Sequence, residues 1–262
     1  MKIKTVLGID IGGTHIKGAL VNIKEGVLCS EKIKIETPLP SLPSNIVEVT
    51  DSIVKQLQWK GPIGIGFPGS QTKSIVTKTN NLENSWENVS LNTYFTNAIG
   101  LPVYAINDAD AAGLAEVKFG QKRKCKGLVF FVTIGTGIGT ALFQNGTLIK
   151  NTELGQMLLP NGLVSEKYMS NSARKQEALE WSEWGKRVNE YFAYIESILS
   201  PELIIIGGGA SRRFELFSHE ITINTNVIPA TFGNESGIIG AAYNVKKFVK
   251  KSIISQKGFD YL

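Results

Sequence analysis

Two stretches far apart in this chain read almost alike, and any fold that accommodates both must build one unit twice. Residues 10–21 run Asp10-Ile11-Gly12-Gly13-Thr14-His15-Ile16-Lys17-Gly18-Ala19-Leu20-Val21; residues 133–143 run Thr133-Ile134-Gly135-Thr136-Gly137-Ile138-Gly139-Thr140-Ala141-Leu142-Phe143. With one gap, the Ile-Gly and Ala-Leu pairs coincide. A second turn signal follows each copy, Lys24-Glu25-Gly26 before Val27-Leu28 and Gln144-Asn145-Gly146 before Thr147-Leu148. Apolar runs broken at these glycine-rich turns predict strand, turn, strand, turn, strand in both places. Because the downstream turns align too, we read the pair as a duplication.

After each meander the hydrophobic period lengthens. Ile46, Val49, Ile53 and Leu57 recur at helical spacing, whereas Ile63-Gly64-Ile65-Gly66-Phe67, ending at Pro68-Gly69, has the form of a buried strand. Val103-Tyr104-Ala105-Ile106 is a further strand running into Asn107-Asp108, and the alanine-rich stretch 109–119 is a helix. Trp184, Val188, Tyr191, Phe192, Ile195 and Ile198 mark the buried stripe of a long helix closed by Pro201. Leu203-Ile204-Ile205-Ile206 is an apolar strand stopping at Gly207-Gly208-Gly209, and a last helix from about Glu235 to Lys251 has a small face at Gly237, Gly240, Ala241 and Ala242. The alternation implies an α/β protein of two lobes with mixed sheets. No Pro/Ser-rich linker interrupts it. The expected division is 1–108 for a small first lobe and 109–237 for a larger second one. A hinge is expected near 107–112, with the helix 238–262 packing back on the first lobe.

Composition narrows the function classes. Glycine supplies 27 of 262 residues, which asks for turns or close backbone approaches. A 42% hydrophobic content excludes disorder, and the net charge of +5 slightly favours anionic ligands. Two cysteines, Cys29 and Cys125, and two histidines, His15 and His219, are too few for a disulfide scaffold or a Cys/His metal centre. The apolar run after Lys4 is broken at Gly8 and Asp10, so no secretion signal is expected. Nor does any stretch reach the ~20 apolar residues of a membrane helix. The expectation is a cytoplasmic protein with no membrane partner.

Three glycine-rich turns carry the chemistry: Gly12-Gly13-Thr14 beside Asp10, Gly135-Thr136-Gly137, and Gly207-Gly208-Gly209. Exposed backbone N–H groups at such turns form concave sites for phosphate oxygens. Neither a P-loop nor a dinucleotide fingerprint has this spacing. Asp10 is open to two readings, a turn aspartate or a water-mediated ligand of Mg²⁺, an ion suited to hard oxygens. In Asn107-Asp108-Ala109-Asp110, three polar groups stand where one helix cap is needed, which leaves a carboxylate for general-base work. Glu153, by itself, is a surface glutamate by default. Basic runs at Lys118, Lys122, Arg123, Lys124 and Lys126, and at Lys246, Lys247, Lys250 and Lys251, are first read as solvated faces. Nucleic acid is therefore not an expected partner.

Taken together these segments resemble the sugar kinases of the ROK family, in the actin/hexokinase-like fold, and especially its polyphosphate-using glucokinase branch. The resemblance runs through 10–18, Gly66-Phe67-Pro68-Gly69, Asn81-Leu82-Glu83-Asn84-Ser85-Trp86, 107–116, 135–139, Asn151-Thr152-Glu153-Leu154-Gly155, 200–203, 207–211 and 237–242. It implies a ribonuclease H-like fold with a cleft between the lobes, Mg²⁺ as cofactor, and phosphoryl transfer from polyphosphate or ATP to the 6-hydroxyl of glucose or a related hexose. The resemblance makes Asp108 the general base and Asn107 and Glu153 sugar ligands, with Gly69 and Ser70 in the sugar-site loop. Asp10, Gly12, Gly13, Thr14 and Lys17 fall in the first phosphate loop, Gly135, Thr136 and Gly137 in the second, and Gly207, Gly208 and Gly209 in a nucleotide-side loop. It also implies a homodimer.

Two departures stand out. The family's cysteine-rich zinc motif is missing, as in the polyphosphate branch, and its Glu-Leu-Gly-His ends here in Gln156, which keeps a donor and an acceptor for a sugar hydroxyl. A long polyanionic donor needs cations beyond the turns, and the run 118–126 is compatible with that. A strictly ATP-dependent hexokinase of the family, acting on glucose, mannose or an amino sugar, is the first alternative. The second is a catalytically weak sugar-binding regulator; the family's repressors carry an N-terminal helix-turn-helix, for which the loop at Asp10 is expected to leave no room.

Overall fold

The computed structural model describes residues 4–79, 82–120 and 126–257, with 249–257 as backbone only. The chain divides into two compact units, residues 1–115 with 235–262, and residues 116–234.

In the first unit, β1 (Thr5–Ile11), β2 (His15–Asn22) and β3 (Val27–Leu28) form the antiparallel meander. β4 (Ile33–Glu36), α1 (Pro43–Gln56), β5 (Ile63–Phe67), the ribbon β6 (Gly69–Thr72) and β7 (Ile75–Thr79), α2 (Leu91–Ile99) and β8 (Val103–Asn107) follow. The sheet order is β3-β2-β1-β5-β8, with β4 paired to β2, and β5 lies parallel to both β1 and β8. Every residue of β5 is buried, as a strand covered on both faces requires. The core gathers Leu7, Ile9, Ile65, Phe67, Trp86 and Phe95. α3 (Asp108–Phe119) begins directly where β8 ends.

The second unit repeats the plan. β9 (Leu128–Ile134), β10 (Ile138–Gln144) and β11 (Thr147–Ile149) form a meander. The short helices α4 (Ser165–Met169) and α5 (Asn171–Gln176) lead to α6 (Trp181–Leu199), β12 (Leu203–Gly207), α7 (Gly208–Ser211) and β13 (Asn226–Pro229). Its sheet order, β11-β10-β9-β12-β13, is that of the first unit with the same parallel pairings. The duplication is thus expressed in five strands of each unit, while β4 and the β6–β7 ribbon belong to the first unit alone among the described residues. Register even locates the gap. Ile11 pairs with Ile16 across four turn residues, Ile134 with Ile138 across three, while Leu7↔Leu20 and Phe130↔Leu142 fall back into step. Asn145 and Gly146, both at positive φ, make the two-residue turn into β11.

One expected core position is not buried. Ile198 is 49% exposed, because Leu199, four residues after buried Ile195, turns toward the core in its place. α8 (Ser236–Lys257) returns to the first unit and lies on the backbones of β1 and β5. A Cβ on Gly8 would meet the Ile238 carbonyl, one on Gly64 the Ala241 carbonyl, and one on Gly240 the Ala111 carbonyl. The small residues on both sides let a helix approach a sheet this closely.

Candidate functional site

In the first unit the candidate residues gather at the carboxyl ends of parallel strands, the edge where open α/β sheets hold ligands. Register sets Asp10 opposite Gly66, and Gly66 in turn beside Ile106, one residue before Asn107. Around the hydrogen of Gly66 lie the Asp10 Oδ1 and the Asp108 Cα, 3.7 and 3.8 Å from where a Cβ would be. Two aspartates far apart in sequence thus flank one glycine.

Asn107 takes the cap. Its Oδ1 accepts from the Asp110 N–H at 3.0 Å, and its Nδ2 donates to the Gly69 carbonyl at 3.2 Å, tying the start of α3 to the start of β6. One lone pair and one N–H of that amide remain for a ligand. Asp108, half-buried at the first position of α3, accepts the neighbouring Ala109 N–H at 2.8 Å. Ser70 follows Gly69 at an irregularity in the β6–β7 pairing.

Asp10 is held from two sides. Lys17, its partner in the β1–β2 register, places Nζ 3.2 Å from Oδ2. Gly237, in the first turn of α8, lies so close that a Cβ there would come within 2.7 Å of Oδ1. A carboxylate beside the amino end of a long helix is favoured by the helix dipole. The Gly12-Gly13-Thr14 turn between β1 and β2 is clamped by Thr37, whose Oγ1 donates to the Gly12 carbonyl and whose N–H donates to the Thr14 carbonyl. Gly13 and Thr14 are exposed.

In the second unit the Gly135-Thr136-Gly137 turn closes with Gly135 N–H donating to the Gly137 carbonyl, and Asn171 N–H donates to the Gly135 carbonyl. The 207–209 segment follows at the end of the neighbouring strand. Gly208, at φ +72°, packs against the backbone of Ile134 with no room for a Cβ. The turn containing Glu153 and Gln156 is fixed under β10, where Leu154 N–H donates to the Thr140 hydroxyl at 3.0 Å.

Sequence reasoning missed Glu166. From the first turn of α4 its Oε2 accepts the Ile138 N–H at 2.8 Å and its Oε1 accepts from the exposed Gln156 side chain at 3.2 Å. It therefore ties the strand that leaves the Gly135-Thr136-Gly137 turn to Gln156. No local spacing announces such a role. Thr37 was missed for the same reason, and Gly237, read as part of a small helix face, was not foreseen beside Asp10.

Of the basic run 118–126, Lys118 donates to the Gly146 carbonyl, while Lys122, Arg123 and Lys124 lie outside the described residues. Among the described residues no three Asp, Glu, His or Cys side chains converge as an all-protein metal cage. Mg²⁺ usually keeps waters and takes one or two carboxylates plus substrate phosphates. Asp10, already partly neutralised by Lys17, fits that demand through water.

The family whose model matches the chain is the ROK family, over residues 6–160. The chain is 37% identical over 236 residues to a polyphosphate glucokinase of Mycobacterium tuberculosis, covering 90% of this chain and 89% of that protein. Among solved structures it is similar to the inorganic polyphosphate/ATP-glucomannokinase of Arthrobacter sp. strain KM. That likeness has a TM-score of 0.88 and 38% identity, over 93% of this chain and 98% of the other. It also shares its fold with a Streptomyces griseus ROK family glucokinase in complex with glucose and AMPPNP. There the TM-score is 0.76 at 22% identity, over 91% and 98% of the two chains.

Proposed function

The chain belongs to the ROK family, and from that premise we propose that it is a glucokinase carrying a phosphoryl group from polyphosphate or ATP to the 6-hydroxyl of glucose. The observation that carries the reading is the division of labour at the head of α3. Asn107 supplies the cap to the Asp110 N–H, and Asp108, the first residue of α3, has its backbone at Gly66, where the Asp10 carboxylate also lies. The donor and acceptor classes are supported by the polyphosphate glucokinase and polyphosphate/ATP-glucomannokinase relatives.

Asp108 accepts the proton of the 6-hydroxyl as its oxygen bonds to the terminal phosphorus. The bond from that phosphorus to the bridging oxygen breaks, and the donor leaves as ADP or a polyphosphate one unit shorter. Asn107, Glu153 and Gln156 orient the sugar, Glu166 fixes the Gln156 amide, and Gly69 and Ser70 form the sugar-side wall. The turns 12–14, 135–137 and 207–209 offer N–H groups to donor oxygens. Bound Mg²⁺, reached by Asp10 through water, would neutralise charge on the transferring phosphates. Such chemistry runs on positioning and electrostatics more than on reactive side chains.

A coupled assay with glucose, Mg²⁺ and each donor tests this. Asp108→Asn should lower kcat by about 10²–10⁴-fold, the usual contribution of a general base, with unchanged circular dichroism. Near-normal turnover in that variant removes Asp108 from the mechanism. Absence of product from the unsubstituted protein with every donor removes the kinase reading. Activity with ATP and none with polyphosphate of any length reduces it to an ATP-dependent hexokinase.

A further inference from the structure

Beyond the glycine turns, the second unit contains a cavity of about 320 Å³ lined by residues 211–216 and Pro229, within the roughly 300–1,000 Å³ of ligand sites. It has two features that suit an anion. Arg212 and Arg213 are both exposed, and among the described residues neither has a carboxylate partner. The segment is also anchored rather than loose. Buried Phe217 sits edge-on to Trp184 at 4.8 Å and to Phe214 at 5.7 Å, and the Ser211 hydroxyl donates to the Gly208 carbonyl at 2.8 Å.

Its place in the sheet gives the cavity a direction. β9, β12 and β13 are parallel neighbours, so the 135–137 turn, the 207–209 turn and Pro229 stand in that order along one sheet edge. A donor whose transferred phosphate lies at the first turn and whose next phosphates pass the second turn arrives at the two guanidinium groups. Phe214 is the one aromatic side chain in the lining and is already engaged by Phe217, so the lining favours a chain of phosphates over a base.

Resting on the donor reading above, we infer that this cavity holds the distal phosphates of a long polyphosphate, with Arg212 and Arg213 as their cationic partners. Glu215, in the same lining, opposes the polyanion and sets an upper limit on its affinity. The bidentate fork of arginine suits phosphate oxygens, and a lysine supplies charge without that geometry.

The test uses the full chain with long-chain polyphosphate, tripolyphosphate and ATP at several salt concentrations. It also measures direct binding of labelled long-chain polyphosphate without sugar. The double variant Arg212→Ala/Arg213→Ala should raise the long-chain KM and Kd by about tenfold or more, as loss of charge-assisted hydrogen bonds does. The KM values for tripolyphosphate and ATP should move less than the long-chain value. The slope of log Kd against log salt should become shallower by about one for each phosphate that the variant no longer neutralises. Arg212→Lys/Arg213→Lys should recover most of the salt slope but only part of the affinity, and Glu215→Gln should tighten long-chain binding. Unchanged long-chain binding in the double variant overturns the inference. So does an equal or larger loss for ATP, which would assign the cavity to a nucleotide. If the unsubstituted protein makes no product with any donor, the glucokinase reading fails, while the binding arm still decides whether the cavity takes polyphosphate.

Discussion

Asn107 and Asp108 are adjacent in sequence, and the separate tasks proposed for them rest on the two hydrogen bonds of Asn107. Asn107→Ala removes the cap at Asp110 N–H and the tie to Gly69 together. A lost cap costs about 0.5–2 kcal/mol, and the freed head of α3 should also lower kcat, since Asp108 is its first residue. Thermal unfolding and turnover should fall together, whereas Asp108→Asn should lower turnover alone. Gln156 and Glu166 form a second coupled pair. Gln156→Ala should raise the KM for glucose by about two- to tenfold, the order expected for one hydrogen bond between neutral groups. Glu166→Ala should do at least as much, because it also releases Ile138 N–H. In the double variant the effects should be less than additive, as expected for side chains sharing one network. A fully additive cycle would show that the pair acts independently. At this scale the sequence displayed which residues were available but not their assignments. Three polar groups stood in a row at 107–110, and only the register of β8 beside β5 turns Asn107 toward Gly69.

The elements form where periodicity places them because their buried faces are continuous in sequence. β5 and β12 are wholly buried, and α6 carries Trp184, Val188, Tyr191, Phe192 and Ile195 inward. The small face of α8 was equally legible, though not its target. Gly64 faces the Ala241 carbonyl without space for a methyl group, and backbone cannot rotate away as a side chain can. Gly64→Ala should therefore cost about 3 kcal/mol or more, the upper range for overpacking, and lower Tm by roughly 6–12 °C. A fall of less than about 2 °C, below the shift expected from even 1 kcal/mol, would mean that the helix shifts freely on the sheet. A second interaction gives a pH dependence. The Thr225 hydroxyl and amide, followed by Asn224 N–H, hold the Glu196 carboxyl below its ordinary value of 4.5. A depressed carboxyl stabilises the native state above its unfolded pKa, and the contribution is lost as pH falls through the lower folded value. The Tm difference between the unsubstituted chain and Thr225→Val should thus be full at about pH 7 and shrink below about pH 4.5. A difference that stays constant through that range would exclude the linkage.

At the scale of the molecule, the chain enters the second unit along α3 and leaves it before Glu235, and Glu116 connects these two passages. Only 3% exposed, its carboxylate accepts the Thr231 N–H on both oxygens and the Phe232 N–H at 2.8 Å. Burial pushes this carboxyl up, and the Phe232 and Thr231 bonds partly oppose that. Glu116→Ala should speed hydrogen exchange at Thr231 and Phe232 well beyond the change at strand β12; uniform acceleration would show a global loss of stability instead. The sequence by itself determined the two meanders, their turns, the helical faces and the three glycine segments. Each depends on the order of apolar, glycine and turn residues over a few positions, and local backbone preference acts at that range. Tertiary structure alone decided that the Asp10 carboxylate and the Asp108 backbone both lie at Gly66, that Gly237 covers Asp10, and that Glu166 spans Ile138 and Gln156. Those meetings depend on which strand lies beside which, and that choice is made by burying whole faces against one another, so no pattern within a single segment contains it.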